Sequence, residues 1–141
     1  MKNLIYAGLT TSTSVVANAT IPFNVIDRKY NSSSSCSSID LLGNAVVIKT
    51  NSRRPRYNGW VKITFSGATA GNAVFTVLFN GSQLPLAVAT ETITTPTTEL
   101  RTICIPFSVL TNCCSTNTIT VANTGTIGVT ITNASILVVE D

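Results

Sequence analysis

Between Trp60 and Ser66 the chain alternates with a period of two, placing Val61, Ile63 and Phe65 on one side and Trp60, Lys62 and Thr64 on the other. That alternation predicts a half-buried antiparallel strand. The Gly- and Ala-containing stretch 66–72 reads as a turn, and residues 73–79 (AVFTVLF) resume as a strand apolar on both sides. Asn80-Gly81 then predicts a tight hairpin into 83–89, because both residues accept the positive φ angles of a type I′ turn. A further strand covers 100–107, and Pro106 assigns it to a sheet edge or a bulge, since proline has no N–H for a ladder. Short runs at 4–7, 15–23, 39–42, 45–50, 115–122, 126–132 and 134–139 bring the count to about ten strands. Gly43-Asn44, 123–125 and Asn133 supply turns between them. The serine run 32–38 reads as a flexible surface loop, and the Thr-rich 90–98, holding Pro96, as a loop or ragged edge. No window carries helical periodicity of useful length. The pattern therefore predicts an all-β antiparallel sandwich of the jelly-roll kind.

Composition agrees and narrows the chemistry. Of 141 residues, 44% are hydrophobic and 11% charged, against roughly 25% charged in an average soluble domain. Thr, Ser and Asn make up 50 residues, so the polar surface is built of hydroxyls and amides, which favour strands and turns. The length suits one domain with its own core, and neither an internal repeat nor a linker interrupts it. Residues 1–38 are expected to form an N-terminal arm and first strands that dock on a support, and 39–141 the jelly-roll core. Histidine is absent and the acids number six, which removes most of the usual catalytic repertoire. Glu91 and Glu99 alone are close enough in sequence to imagine as a glycosidase pair, and nothing fixes their separation. The expectation is a protein that is not an enzyme and has no cofactor.

No apolar run reaches the roughly 18 residues of a spanning helix, although the mean hydropathy is +0.35. The first residues, MKNLIYAG, are too short for a signal h-region. Synthesis in the cytosol, without membrane contact, is therefore expected. The four cysteines Cys36, Cys104, Cys113 and Cys114 are then thiols by default. Cys104, in Ile103-Cys-Ile105, reads as a small buried hydrophobe. Adjacent Cys113 and Cys114 cannot bridge without strain and lack the partners of a zinc site. A disulfide between the Cys36 loop and the Cys113-Cys114 turn, made after release from the cell, stands as an alternative.

Net charge is +3, with Arg53, Arg54 and Arg56 inside four positions and Tyr57 and Trp60 close behind. Cations mixed with aromatics can pair with an anion while a ring stacks on a sugar or base. These five residues are the candidate partner-binding set, and the bland alternative is a solvated loop leading into a strand. No recognised nucleic-acid motif surrounds them, which leaves an acidic protein surface or an anionic host glycan as the partner. Residues 73–79, apolar on both faces, suggest burial against sister copies about a threefold axis; the alternative is that both faces serve one monomer core.

Three pieces in series, SIDLLGNAVVIKT, NGWVKITFSG followed by AVFTVLFNGSQLP, and NTITVANTGTIGVTITNASILVVED, resemble the trimeric jelly-roll head of the tumour-necrosis-factor and complement-like class, in its bacterial spore-surface and bacteriophage branch. Gly59-Trp60 stands where that pattern opens a central strand with glycine and an aromatic. The likeness covers about three quarters of the chain, from Ile39 to Asp141. Two departures are Cys113-Cys-Ser-Thr, where Gly-Asp is common, and the arginine-rich lengthening at 53–56. The resemblance implies a homotrimeric virion protein that contacts other capsid or fibre proteins. A small capsid decoration or head-fibre subunit assembled in the host bacterial cytoplasm is expected, and the alternative is a host-receptor- or glycan-binding tip module of a phage fibre or a bacterial surface appendage.

Overall fold

The computed structural model describes residues 2–141 and contains strands and no helix among them. One sheet carries the order β3 (Val25–Tyr30), β1 (Leu4–Leu9), β11 (Val129–Glu140), β6 (Arg56–Gly67), β9 (Arg101–Leu110), with the short β2 (Thr13–Val15) pairing the start of β11. The other runs β4 (Ser37–Leu42), β5 (Ala45–Thr50), β10 (Thr116–Asn123), β7 (Gly71–Phe79), β8 (Ser82–Ile93). Every pairing is antiparallel. The inward halves of the alternating strands meet in one core, where Phe65 of β6 packs edge-on against Phe75 of β7 with ring centroids 4.9 Å apart. Such a pair adds about 1 kcal/mol beyond its area burial.

Local chemistry accounts for the register. Asn80 and Gly81 adopt φ of 52° and 82°, closing β7 onto β8. Gly59 is required by packing, since a Cβ there would lie 2.2 Å from the Leu137 carbonyl and 2.8 Å from the Phe107 ring. Asn133, expected as a turn, is instead a bulge within the long β11: Ile131 faces Phe65 and Asn133 faces Thr64. The extra residue reverses the strand's parity, so that Val129 and Ile131 point inward before it and Ala134, Ile136 and Val138 after it.

Several sequence expectations change. Residues 15–23 are not one strand: only Thr13–Val15 pairs, Asn18 has a φ of 68°, and the chain returns to the ladder at a single Thr20–Ala122 bridge. β3 went unforeseen because all six of its residues are exposed. Residues 4–30 are not a free arm. β1 lies between β3 and β11, with Ile5, Ala7 and Leu9 in the core, and β3 is the strand left at the sheet edge. Cys104 is exposed, because β9 is an edge strand covered on one face only; its neighbours Ile103 and Ile105 take the buried side.

Candidate functional site

Alternation along β6 sorts the five predicted site residues. Arg56, Asn58, Trp60 and Lys62 face outward while Tyr57, Gly59, Val61 and Ile63 face the core. Arg56 and Trp60 are therefore about 13 Å apart along the strand, too far to grip one small ligand group. Tyr57 is fully buried and offers no face to a partner. Its hydroxyl sits 2.6 Å from Ser37 Oγ and accepts from Asn3 Nδ2 at 3.0 Å. Burial pushes its phenol above the ordinary range.

That hydroxyl belongs to a polar network at the end of the sandwich where the first and last strands meet. Asn3, with no exposed surface, donates to the Ser37 carbonyl at 2.7 Å and accepts from the Ser32 N–H at 2.6 Å. The Glu140 carboxylate accepts from Ser35 Oγ at 2.8 Å. The serine loop, expected to be flexible, is thus tied to the sandwich by side chains whose order in the sequence gives no warning of their meeting. Above the network lies a groove of about 320 Å³. Its walls are the hydroxyls of Ser32, Ser34 and Ser35, the cations Lys2, Arg53 and Arg54, and the carboxylates of Glu140 and Asp141. Arg54 Nε donates to the Thr111 carbonyl at 3.0 Å, and Lys2 Nζ donates to the Asp141 carbonyl. Arg56 Nη1 stands 3.9 Å from Asp141. Arg53 is exposed and pairs with no side chain among the described residues. Arg53, Arg54 and Arg56 are thus gathered at one end, whereas Tyr57 lies beneath them and Trp60 belongs elsewhere.

Trp60 sits on the outer face of the β3-β1-β11-β6-β9 sheet, in a row that crosses all five strands. The register sets Arg28 beside Tyr6, Tyr6 beside Leu137, Leu137 beside Trp60, and Trp60 beside Pro106. Tyr6 and Trp60 meet edge-to-face at 5.9 Å, and with Leu4, Leu137 and the neighbouring Asp27 and Arg28 they line a shallow, mostly apolar hollow of about 350 Å³. A second apolar surface occupies the flank where the edge strands β8 and β9 come together. Leu84, Pro85, Leu86, Pro106 and Phe107 border a hollow of about 320 Å³ there, and Leu86 is 96% exposed. The sequence pattern points to neither surface, although Leu84-Pro-Leu86 is a visible apolar run separated by two residues from the Asn-Gly turn.

No protein-family model matches the chain, and no curated protein matches it by sequence. Solved structures do match along its whole length. PRD1 vertex protein P5, from a phage, is 13% identical with a TM-score of 0.59, over 99% of this chain and 96% of that one. Eiger TNF from S. frugiperda gives 0.64 at 12% identity, over 99% and 94%, and murine APRIL at pH 5.0 gives 0.63 at 9%, over 100% of both. The chain has the TNF-like jelly-roll fold. At these identities the likeness is one of architecture.

Glu91 and Glu99 meet at Arg101. Arg101 faces both Glu91, at 4.0 Å, and Glu99, with which it makes a close ion pair. Backbone N–H groups of Thr95 and Thr94, with Arg101 adding, hold the Glu99 carboxyl at about 2. It is a loop staple between the end of β8 and the start of β9. Among the described residues no three His, Cys, Asp or Glu side chains gather to hold a metal.

Proposed function

We propose that the protein is a homotrimeric, non-catalytic building block of a bacteriophage virion, a capsid decoration or head-fibre subunit assembled in the host cytoplasm. The observation that carries this reading is the pair of unlike apolar surfaces on one sandwich: the Tyr6–Leu137–Trp60 row on a sheet face and the Leu84–Leu86 edge on a flank. An isolated subunit would leave both in water. Two different patches that fit one another make a head-to-tail contact, which closes into a ring when the rotation permits. In the trimer the β8–β9 edge of one copy covers the aromatic row of the next. The likeness to a phage vertex protein supports placing such a ring on a virion.

Sedimentation of the purified chain tests the assembly. The expected mass is about 45 kDa, three times the 14.9 kDa subunit, at micromolar protein. Trp60→Glu or Leu86→Asp should each give a folded, β-rich species near 14.9 kDa, since a carboxylate buried in the contact lacks a partner. A wild-type monomer at micromolar concentration overturns the trimer. Absence of the chain from purified phage particles overturns the virion role while leaving the trimer standing.

The groove favours a second, compatible reading: a tip module that holds an anionic host glycan. Unpaired Arg53, with Arg54 and the three serine hydroxyls, supplies charge and hydrogen bonds suited to a sulfate or carboxylate on a sugar.

A further inference from the structure

The turn between β9 and β10 holds Cys113 and Cys114 side by side, both exposed, with their Sγ atoms 3.1 Å apart and Cys114 at a φ of 57°. Both flanks of the dipeptide are pinned. The Asn112 carbonyl accepts from Thr50 Oγ1 at 2.6 Å, Ser115 Oγ at 3.1 Å and Asn117 Nδ2 at 3.2 Å, while the Asn112 N–H donates to Asn117 Oδ1 at 2.9 Å. On the other side the Thr50 N–H donates to the Ser115 carbonyl at 3.0 Å. Asn117 is itself fully buried, so this frame belongs to the sandwich and not to the loop alone. Adjacent cysteines bridge poorly in a free chain, because neighbouring Cα atoms are about 3.8 Å apart, shorter than the roughly 4.4–6.8 Å of ordinary bridged pairs. Here the fold has already placed the chain in a left-handed turn and brought the two sulfurs into contact.

We propose that Cys113 and Cys114 form a reversible vicinal disulfide, a modification site closed by small-molecule disulfides of the glutathione class. One cysteine, as thiolate, attacks a sulfur of oxidised glutathione; a mixed disulfide forms and one glutathione leaves as its thiolate. The second cysteine, having lost its proton, attacks the protein sulfur of that mixed disulfide and expels the second glutathione. Two protein thiols are oxidised, one disulfide is reduced to two thiols, and the two protons pass to solvent and the leaving groups. The short Cα spacing keeps the closed ring strained, so reduced glutathione reopens it. Closure occurs where disulfides persist, outside a reducing cytosol. The turn also abuts the groove: Thr111, whose carbonyl accepts from Arg54 Nε, lies two residues before Cys113, so closing the ring stiffens the wall that carries Arg54.

The test equilibrates the folded protein with graded ratios of oxidised to reduced glutathione, quenches by alkylation and measures intact and peptide masses. In the wild-type chain the peptide bearing both cysteines should take no alkyl group on either and be about 2 Da, the mass of two hydrogens, lighter than its dithiol form. Cys113→Ser should instead carry one glutathione on Cys114. In urea the pair should need about a tenfold higher oxidised-to-reduced ratio to close, because its effective concentration falls when the frame is lost. Two free thiols at the most oxidising ratio, glutathione retained on both sulfurs, a bond from either to Cys36, or equal closure folded and in urea would each overturn the proposal.

Discussion

Replacing Asn3 by alanine probes how far a single buried side chain holds the groove together. Asn3 occupies the space between the serine loop, the start of β4 and the Tyr57 hydroxyl. Truncation removes three short or well-placed hydrogen bonds: to the Ser37 carbonyl, from the Ser32 N–H and to the Tyr57 hydroxyl. At about 1 kcal/mol net for each bond the loss is about 3 kcal/mol. The partners modulate that figure in opposite directions. Tyr57 keeps Ser37 Oγ as a partner and Ser32 is near enough to solvent to find water, which lowers the cost; the buried Ser37 carbonyl loses its amide donor, which raises it. Thermal unfolding at fixed protein concentration should show a fall of about 9 °C, taking about 3 °C per kcal/mol for a chain of this size. Limited proteolysis should begin within 32–36, where the loop has lost its anchor. Tyr57→Phe, which removes one hydroxyl while Asn3 retains Ser37, should cost only about 1 kcal/mol, and the double variant should cost less than the two singles combined, since they share a bond. An Asn3→Ala protein melting within 2 °C of wild type, with the serine loop still protected, would refute the claim that this network orders the groove.

Two other outcomes follow from charge. Glu99 titrates at about 2 in the folded chain against an ordinary 4.5, so its contribution is full above pH 4.5 and fades as the pH falls toward 2; Glu99→Gln should flatten the melting temperature over that window, and parallel curves for the two proteins would count against the staple. Replacing Arg53, Arg54 and Arg56 together by alanine should weaken binding to a sulfated glycan such as a heparin fragment by about tenfold at low salt and far less at high salt, and a loss equal at both ionic strengths would reject an electrostatic grip.

What the sequence made legible is whatever is decided locally. Val61, Ile63 and Phe65 announce β6 because period-two burial is written in neighbouring residues, and Asn80-Gly81 announces its hairpin because positive φ is a local demand. β3 stayed hidden for the converse reason: Val-Ile-Asp-Arg-Lys-Tyr has no buried face to alternate with an exposed one and is a strand only because β1 offers it a ladder. Asn133 has the composition of a turn, and only pairing with β6 makes it a bulge. The site was partly legible. The arginines stand together in sequence and remain together in space, but Tyr57 and Trp60, three residues apart, lie on opposite faces of one strand and serve a core network and an apolar surface. Asn3, Ser37 and Glu140, which meet across more than 100 residues of chain, left no pattern to find.

The two flanks of the sandwich differ in a way that bears on how copies meet. Along β3 and β4 the edge carries Asp27, Arg28 and Lys29, and Lys29 bridges to Asp40 at 3.1 Å; charge on an edge strand discourages pairing with another chain. The opposite flank, β8 with β9, is apolar along Leu84–Leu86 and carries Pro85 and Pro106, while its ion pair, Glu91 with Arg101, lies at the other end of the two strands. Neither proline can donate to a ladder, so this flank resists extension by added strands even though it is the more hydrophobic of the two. An edge of that kind engages a neighbour through its side chains. Contact through side chains fixes one docking angle, whereas ladder extension would repeat without end. In the proposed trimer the Tyr6–Leu137–Trp60 row gives Leu86 and its neighbours a face of matching chemistry to settle on, and that head-to-tail contact closes into a ring when its rotation brings the third copy back to the first, running on as a fibre when it does not.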